Sequence, residues 1–226
     1  MRPIDELINM EESALPLVQK VVNDSKLVNR VLPVQKGSGK KALYNIQVTS
    51  RSPMGAVTLY TGGILVDHGW LRILGSGYEK LVDIATCNDL SNPDENTGIP
   101  ESFTIAYDIT GGMFALNGGA LGSNLGEVYY FGLDSLEWQE TGLSYSNFLE
   151  FAFSEKGLDK FYSTLRWYGW EEEVENLPLD QVFSFYPYLW TQEGQDVNQN
   201  FHSPVPLKEL LAEVSDFIDF SKRHEI

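Results

Sequence analysis

The sequence predicts an α+β fold, with a central, mostly antiparallel sheet of short strands flanked by helices, and three observations carry that expectation. Short apolar runs between Ala56 and Gln139 are separated by Gly62-Gly63, Gly75-Ser76-Gly77, Gly111-Gly112 and Gly118-Gly119, the punctuation of hairpin-connected strands. Before and after that zone, large apolar residues recur every three or four positions, as in helices with one buried stripe. The two kinds of segment do not alternate in the β-α-β manner of a parallel sheet.

Taken in order, Leu15, Val18, Val21, Val22 and Leu27 predict a first amphipathic helix over 15–27, preceded by Glu11 and Glu12, which suit a helix start. The apolar run Val28 to Val34 leads into a basic loop, Gln35 to Lys41, and a short helix from Ala42 to Gln47. Strands are expected at Ala56–Tyr60, Ile64–Val66, Trp70–Leu74, Phe103–Asp108, Met113–Leu116, Glu127–Phe131 and Ser135–Gln139. Helices follow at Tyr145–Phe153 and Leu158–Trp167, with Glu171–Glu175 continuing the helical region until Asn176-Leu177-Pro178 ends it. Gln192 to Ser203 is polar and aperiodic, a surface loop, and Pro206 to Ser221 is a final helix with Leu207, Leu210, Leu211, Val214, Phe217 and Ile218 on one stripe.

The chain of 226 residues, 42% hydrophobic and 21% charged, is long and apolar enough to bury a substantial core. With no repeat, linker or low-complexity tract, a single α+β domain over 1–226 is expected. The formal net charge of −16 disfavours nucleic acid and anionic lipid surfaces. Residues 1–78 carry nine basic and six acidic side chains, whereas the remainder carries seven and 26, so the carboxy-terminal part offers the acidic surface. One cysteine, Cys87, excludes an internal disulfide and a multi-cysteine zinc site and fits a reducing cytoplasm. No signal peptide and no span of about 18 apolar residues is present, so a soluble, cytoplasmic protein is expected.

Catalytic signatures are sparse. Gly37-Ser38-Gly39-Lys40-Lys41 lacks the glycine spacing and the hydroxyl of a phosphate loop. Gly75-Ser76-Gly77 and Gly122-Ser123-Asn124-Leu125-Gly126 fail the nucleophile-elbow pattern. His68, His202 and His224 lack metal-ligand spacing, so no metal and no cofactor is expected. The turn Asp67-His68-Gly69-Trp70 is the one suggestive cluster, since a histidine oriented by a carboxylate can carry a proton. Arg72 would bind an anionic group beside it, and Asn117 would supply a hydrogen bond near a glycine turn. For recognition rather than catalysis, Trp167, Trp170, Glu171, Glu172, Glu173 and Tyr188 form a candidate protein-binding surface, because aromatic residues dominate interface hot spots.

Five segments, Arg2 to Ile8, Arg51-Ser52-Pro53-Met54-Gly55, Asp67 to Gly77, Phe114 to Gly119 and Phe183-Ser184-Phe185-Tyr186-Pro187, together resemble a bacterial family, domain-of-unknown-function family 2625, along nearly the whole chain. More distantly, Gly111 to Leu116, Gly126 to Phe131 and Ser144 to Leu149 are similar to the SUKH superfamily: a glycine turn, two paired strands and a helix opening on a hydroxyl. That likeness covers the middle third; the superfamily's leading helix and following tryptophan-glycine segment have no clear counterpart. It implies an α+β module of the immunity or regulatory type that works by protein contact. An acidic chain is suited to a basic protein partner by electrostatic steering. The expected role is therefore a cytoplasmic protein-binding module, with an enzyme centred on the Asp67 turn as the alternative.

Overall fold

A computed structural model describes residues 1–92 and 100–224, with the side chain of His224 outside the described set. Seven strands form one antiparallel sheet in chain order: β1 (Arg30–Leu32), β2 (Gly63–Val66), β3 (Leu71–Leu74), β4 (Ser102–Asp108), β5 (Met113–Asn117), β6 (Val128–Gly132) and β7 (Glu137–Leu143). Every residue of β2, β3 and β6 is buried, which is why their sequences are apolar runs instead of alternating. A separate hairpin pairs β8 (Gln181–Tyr186) with β9 (Phe201–Pro206). It is tied to the sheet where the Phe183 amide donates to Ile109 O at 2.7 Å.

The helices are α1 (Ile4–Leu7), α2 (Leu15–Asp24), α3 (Ser38–Ile46), α4 (Pro53–Tyr60), α5 (Ile84–Cys87), α6 (Tyr145–Ala152), α7 (Glu155–Phe161), α8 (Trp170–Glu175) and α9 (Leu207–His224). Helix α4 corrects the strand expected at Ala56–Tyr60. Its start is written in Ser52, whose Oγ accepts from the Gly55 amide at 3.0 Å, and in Pro53 at the first helical position. Gly55 through Leu59 are all buried, and a helix apolar all round has no stripe to betray its period. Helix α3 likewise begins inside the basic loop at Ser38. A β-carbon on Gly39 would stand 2.2 Å from Leu59 O, so glycine there lets α3 lie against α4.

Other boundaries differ more mildly. Helix α2 ends at Asp24, α7 runs from its Ser154 cap only to Phe161, and β7 extends to Leu143. The hairpin β8–β9 occupies part of the expected Gln192–Ser203 loop and the stretch around Phe183, because Pro204 and Pro206 mask a strand in sequence. Beneath the sheet's far end Asp108 is completely buried. Its Oδ1 accepts from the Thr110 amide (2.9 Å), the Thr110 hydroxyl (2.6 Å) and the Gly112 amide (3.0 Å). Its Oδ2 accepts from Tyr130 (2.8 Å) and Tyr162 (3.1 Å). Burial nonetheless raises its pKa against the pull of these hydrogen bonds.

Candidate functional site

Strand β2 turns into β3 through Asp67-His68-Gly69, three consecutive residues in the left-handed region at φ 52°, 58° and 94°. Only glycine takes that conformation freely, and each of the other two costs about 1–2 kcal/mol. The turn is held by its surroundings: the His68 amide donates to Val28 O at 2.9 Å and the Asp67 amide to Asn29 Oδ1 at 3.2 Å. Asp67, almost fully buried, pairs with the guanidinium of Arg166. Desolvation raises the Asp67 pKa more than the Arg166 charge lowers it.

Arg166 also pairs with Asp159 at 2.7 Å. Its guanidinium lies over the rings of Trp170 (4.4 Å), Trp70 (5.1 Å) and Tyr162 (5.9 Å), an aromatic enclosure that favours a weakly hydrated cation. Helix α8 caps the assembly. Trp170 sits edge-on to Trp70 at 4.9 Å and to His68 at 5.8 Å. From the same helix Glu175 Oε1 lies 2.6 Å from His68 Nδ1. Glu173 is 2.7 Å from His202 Nε2 and accepts from Trp167 Nε1 at 3.0 Å. Desolvation pushes the Glu173 pKa up, but the bonds from His202 and Trp167 with the His202 charge outweigh it and leave the pKa lowered.

The fold thus joins Asp67, His68, Trp167, Trp170 and Glu173 into one cluster, together with Arg166, Glu175 and His202, which sequence reasoning missed. No local signal marks these three, since their partners lie up to 107 residues away. Several expectations need correcting. Trp167 and Trp170 are buried and fasten α8 instead of meeting a partner. Arg72 is buried too: its Nη1 donates to the carbonyls of Gln181 (2.7 Å), Leu179 (3.0 Å) and Pro178 (3.1 Å) and its Nε to Gly69 O (3.4 Å), so the guanidinium is engaged by the fold's own backbone. Asn117 is consumed in the turn after β5: its amide donates to Gly122 O and Asn124 O, and its Oδ1 accepts from the Gly119 and Leu121 amides. Tyr188 lies apart from α8, half-buried, donating to Glu213 at 2.5 Å.

What remains outside is informative. Glu171 and Glu172 are exposed on α8, with no ion-pair partner among the described residues. Tyr168, 97% exposed, precedes α8; the left-handed Gly169 at φ 82° turns its neighbours Trp167 and Trp170 inward and leaves it out. Its amide donates to Asn198 at 2.9 Å, just before β9, where Phe201 is 81% exposed and pairs across the hairpin with Tyr186, 69% exposed. Beside the His68 turn a cleft of about 250 Å³ is lined by Asn29, Arg30, Leu65, His68 and Glu175 among others. Among the described residues no three His, Cys, Asp or Glu side chains converge to hold a metal ion, and no described helix is long and apolar enough to cross a membrane.

The profile of the family described as "Protein of unknown function DUF2625" matches residues 4–210. The chain is similar to the "Putative uncharacterized protein YbfG" of Escherichia coli (strain K12), 40% identical over 215 residues that make up 93% of this chain and 95% of the relative. It is also similar to an "Uncharacterized protein" of Haemophilus influenzae, 36% identical over 190 residues, 84% of this chain and 83% of the relative. No solved structure matches it.

Proposed function

This chain belongs to the DUF2625 family, and from that footing we propose that it is a single-domain protein-binding module of the cytoplasm, immunity-like or regulatory, that docks a basic protein partner. One observation carries the reading: Tyr168, the most exposed aromatic ring among the described residues, directly precedes the helix that carries the exposed carboxylates of Glu171 and Glu172, and its amide is tied to Asn198 ahead of β9, where Phe201 and its cross-strand partner Tyr186 are exposed as well. Exposed aromatics supply hot-spot contacts, and unpaired carboxylates supply steering towards cations. Glu173, already hydrogen-bonded, borders the face, whereas Tyr188, bonded to Glu213, lies apart from α8 and reaches it only through Tyr186 on the hairpin. The SUKH resemblance of the middle third supports the same reading, as does the antiparallel sheet with helices around it. The test is a pull-down from cells of the source with the tagged chain at low and high salt, repeated with Glu171→Lys plus Glu172→Lys and with Tyr168→Ala. The reading expects a basic protein retained at low salt and lost in both variants. A retained set indifferent to the substitutions and to salt would sink it.

A second reading has its own observation. The paired left-handed residues Asp67 and His68, with Glu175 orienting the imidazole at the lip of a cleft, have the form of a general base held by a carboxylate. That reading now excludes Arg72 and Asn117. It predicts that His68→Ala and Glu175→Gln abolish a small-molecule activity in a stable protein, whereas intact function in both variants removes it.

A further inference from the structure

A cavity of about 520 Å³ shares no lining residue with the α8 cluster or with the cleft beside His68. Its volume falls in the range of small-molecule sites, about 300–1,000 Å³. From the sheet it is lined by Phe103 and Leu116, which stand directly opposite each other on β4 and β5. From the helical side come Ile46 at the end of α3, Val48 just beyond it, Met54 in the first turn of α4 and Leu90 after α5. Val48, Met54, Phe103 and Leu116 pack against the core yet stay partly accessible, so each offers an apolar face to the cavity.

Its polar groups are few. None of the described residues that line it carries a charged side chain, so a carboxylate entering there would lose its hydration without gaining a counter-charge. Three lining side chains are amides, and two of them are already engaged. Gln47 Oε1 accepts from the Arg2 amide at 2.7 Å and its Nε2 donates to Tyr44 O at 2.8 Å, while Asn117 is consumed in the turn after β5. Asn45 differs: it is 5% exposed, its Nδ2 donates to Ser91 O at 3.3 Å, and no donor among the described residues reaches its Oδ1. A sheltered carbonyl oxygen of that kind rewards any donor brought to it. Residues 93–99 fall between Leu90 and Pro100 in the chain, and their one large apolar side chain, Ile99, is far too small for such a volume. We propose that this cavity binds a small uncharged amphiphile, an apolar body bearing one hydroxyl or N–H group that donates to Asn45 Oδ1. The site is separate from the docking surface above and does not depend on it.

The probe is N-phenyl-1-naphthylamine, an uncharged fluorophore with an apolar body and a single N–H, titrated into the full chain with 1-octanol and octanoate as competitors. Saturable binding with a micromolar dissociation constant is expected, and octanol should displace the probe at least about tenfold better than octanoate. Val48→Trp and Met54→Trp fill the cavity from partly accessible positions, and each should weaken binding by about tenfold or more at an unchanged thermal transition. Asn45→Ala keeps the volume and removes the acceptor, so it should cost about three- to tenfold, the worth of one neutral hydrogen bond. Uptake that does not saturate overturns the proposal, as does octanoate competing as well as octanol. Should either tryptophan variant unfold, the other and Asn45→Ala still decide: full affinity in a folded variant places the probe elsewhere and refutes the site.

Discussion

Arg72 separates the structural account from a catalytic one. Among the described residues its guanidinium makes no ion pair; it is buried against the Tyr107 ring at 5.8 Å and donates from Nη1 to three backbone carbonyls in the 178–181 segment. The Tyr107 hydroxyl adds a further bond to Leu179 O at 2.8 Å. That segment connects α8 to the β8–β9 hairpin, so Arg72 is the clasp that fixes the carboxy-terminal third to β3. Arg72→Ala takes a donor from three partly buried carbonyls; Leu179 O keeps the Tyr107 hydroxyl and Pro178 O the Gln181 amide, so it is Gln181 O that is left unsatisfied, at about 1–3 kcal/mol, and the packing of the buried arginine stem is lost with it. Release of the guanidinium's own desolvation penalty and entry of water offset part of this, placing the net loss at about 3 kcal/mol. For a chain of this size that lowers Tm by about 6–12 °C. Thermal and urea unfolding measure it, with Arg72→Lys expected to recover part of the loss through a single ammonium. If Arg72→Ala lost under about 1 kcal/mol the clasp would be refuted. If it stayed as stable as the parent yet released a bound anion, the ligand-binding role would return.

Further predictions test the site and the core. Trp170→Ala should destabilise by about 3–5 kcal/mol in urea unfolding, as loss of a buried aromatic does, whereas Glu171→Lys plus Glu172→Lys should stay within about 0.5 kcal/mol per substitution; equal losses would show that α8 is not nailed by its tryptophan. Burial pushes the Cys87 thiol up to about 11, so its reaction with an aromatic disulfide reagent at pH 8 should be more than about tenfold slower folded than in urea, and equal rates would contradict that environment. Asp108 has its folded pKa raised, so between the unfolded value of about 3.9 and that raised value the folded state holds a proton the unfolded state has lost. The stability of the chain relative to its Asp108→Asn variant should therefore fall as pH rises through this window, and a difference that grows with pH would reverse the assignment.

The legible part of the fold was what local pattern controls. Glycine breaks and apolar runs mark β2 through β6 within a residue or two, and the hydroxyl of Ser144 opens the helix expected from Tyr145. Of the elements the sequence did not show, two were illegible for opposite reasons. Helix α4 is buried on every side, so its apolar residues carry no period; β9 is exposed and interrupted by prolines, so it carries no apolar run. At the site, the turn at Asp67 stood out by its residue types, but what it does is decided by Arg166, Glu175 and His202, which no spacing connects to it. The doublet of tryptophans around Gly169 misled for a conformational reason: the left-handed glycine reverses which side chains face water, leaving Tyr168 outside.

The two readings of function fall on one structural unit, and its charge pairing divides the work within α8. Glu173 and Glu175, which turn towards the body, are each matched to a histidine at 2.7 and 2.6 Å, while Glu171 and Glu172 face out unmatched. Like charges crowded on six residues would repel, and their position at a helix amino terminus relieves only part of that. Pairing the inner two with His202 and His68 anchors the helix to both the hairpin and the strained turn, so the outer two can be spent on a partner without loosening the fold. The consequence is a definite order of sensitivity. Substituting Glu171 or Glu172 should change association and leave stability alone, whereas Glu175→Gln should weaken the hold on His68 and make the Asp67 turn, already costly in backbone conformation, the first part of the sheet to open to hydrogen exchange. Faster exchange confined to α9 in that variant, with the turn still protected, would break the link between the helix and the turn.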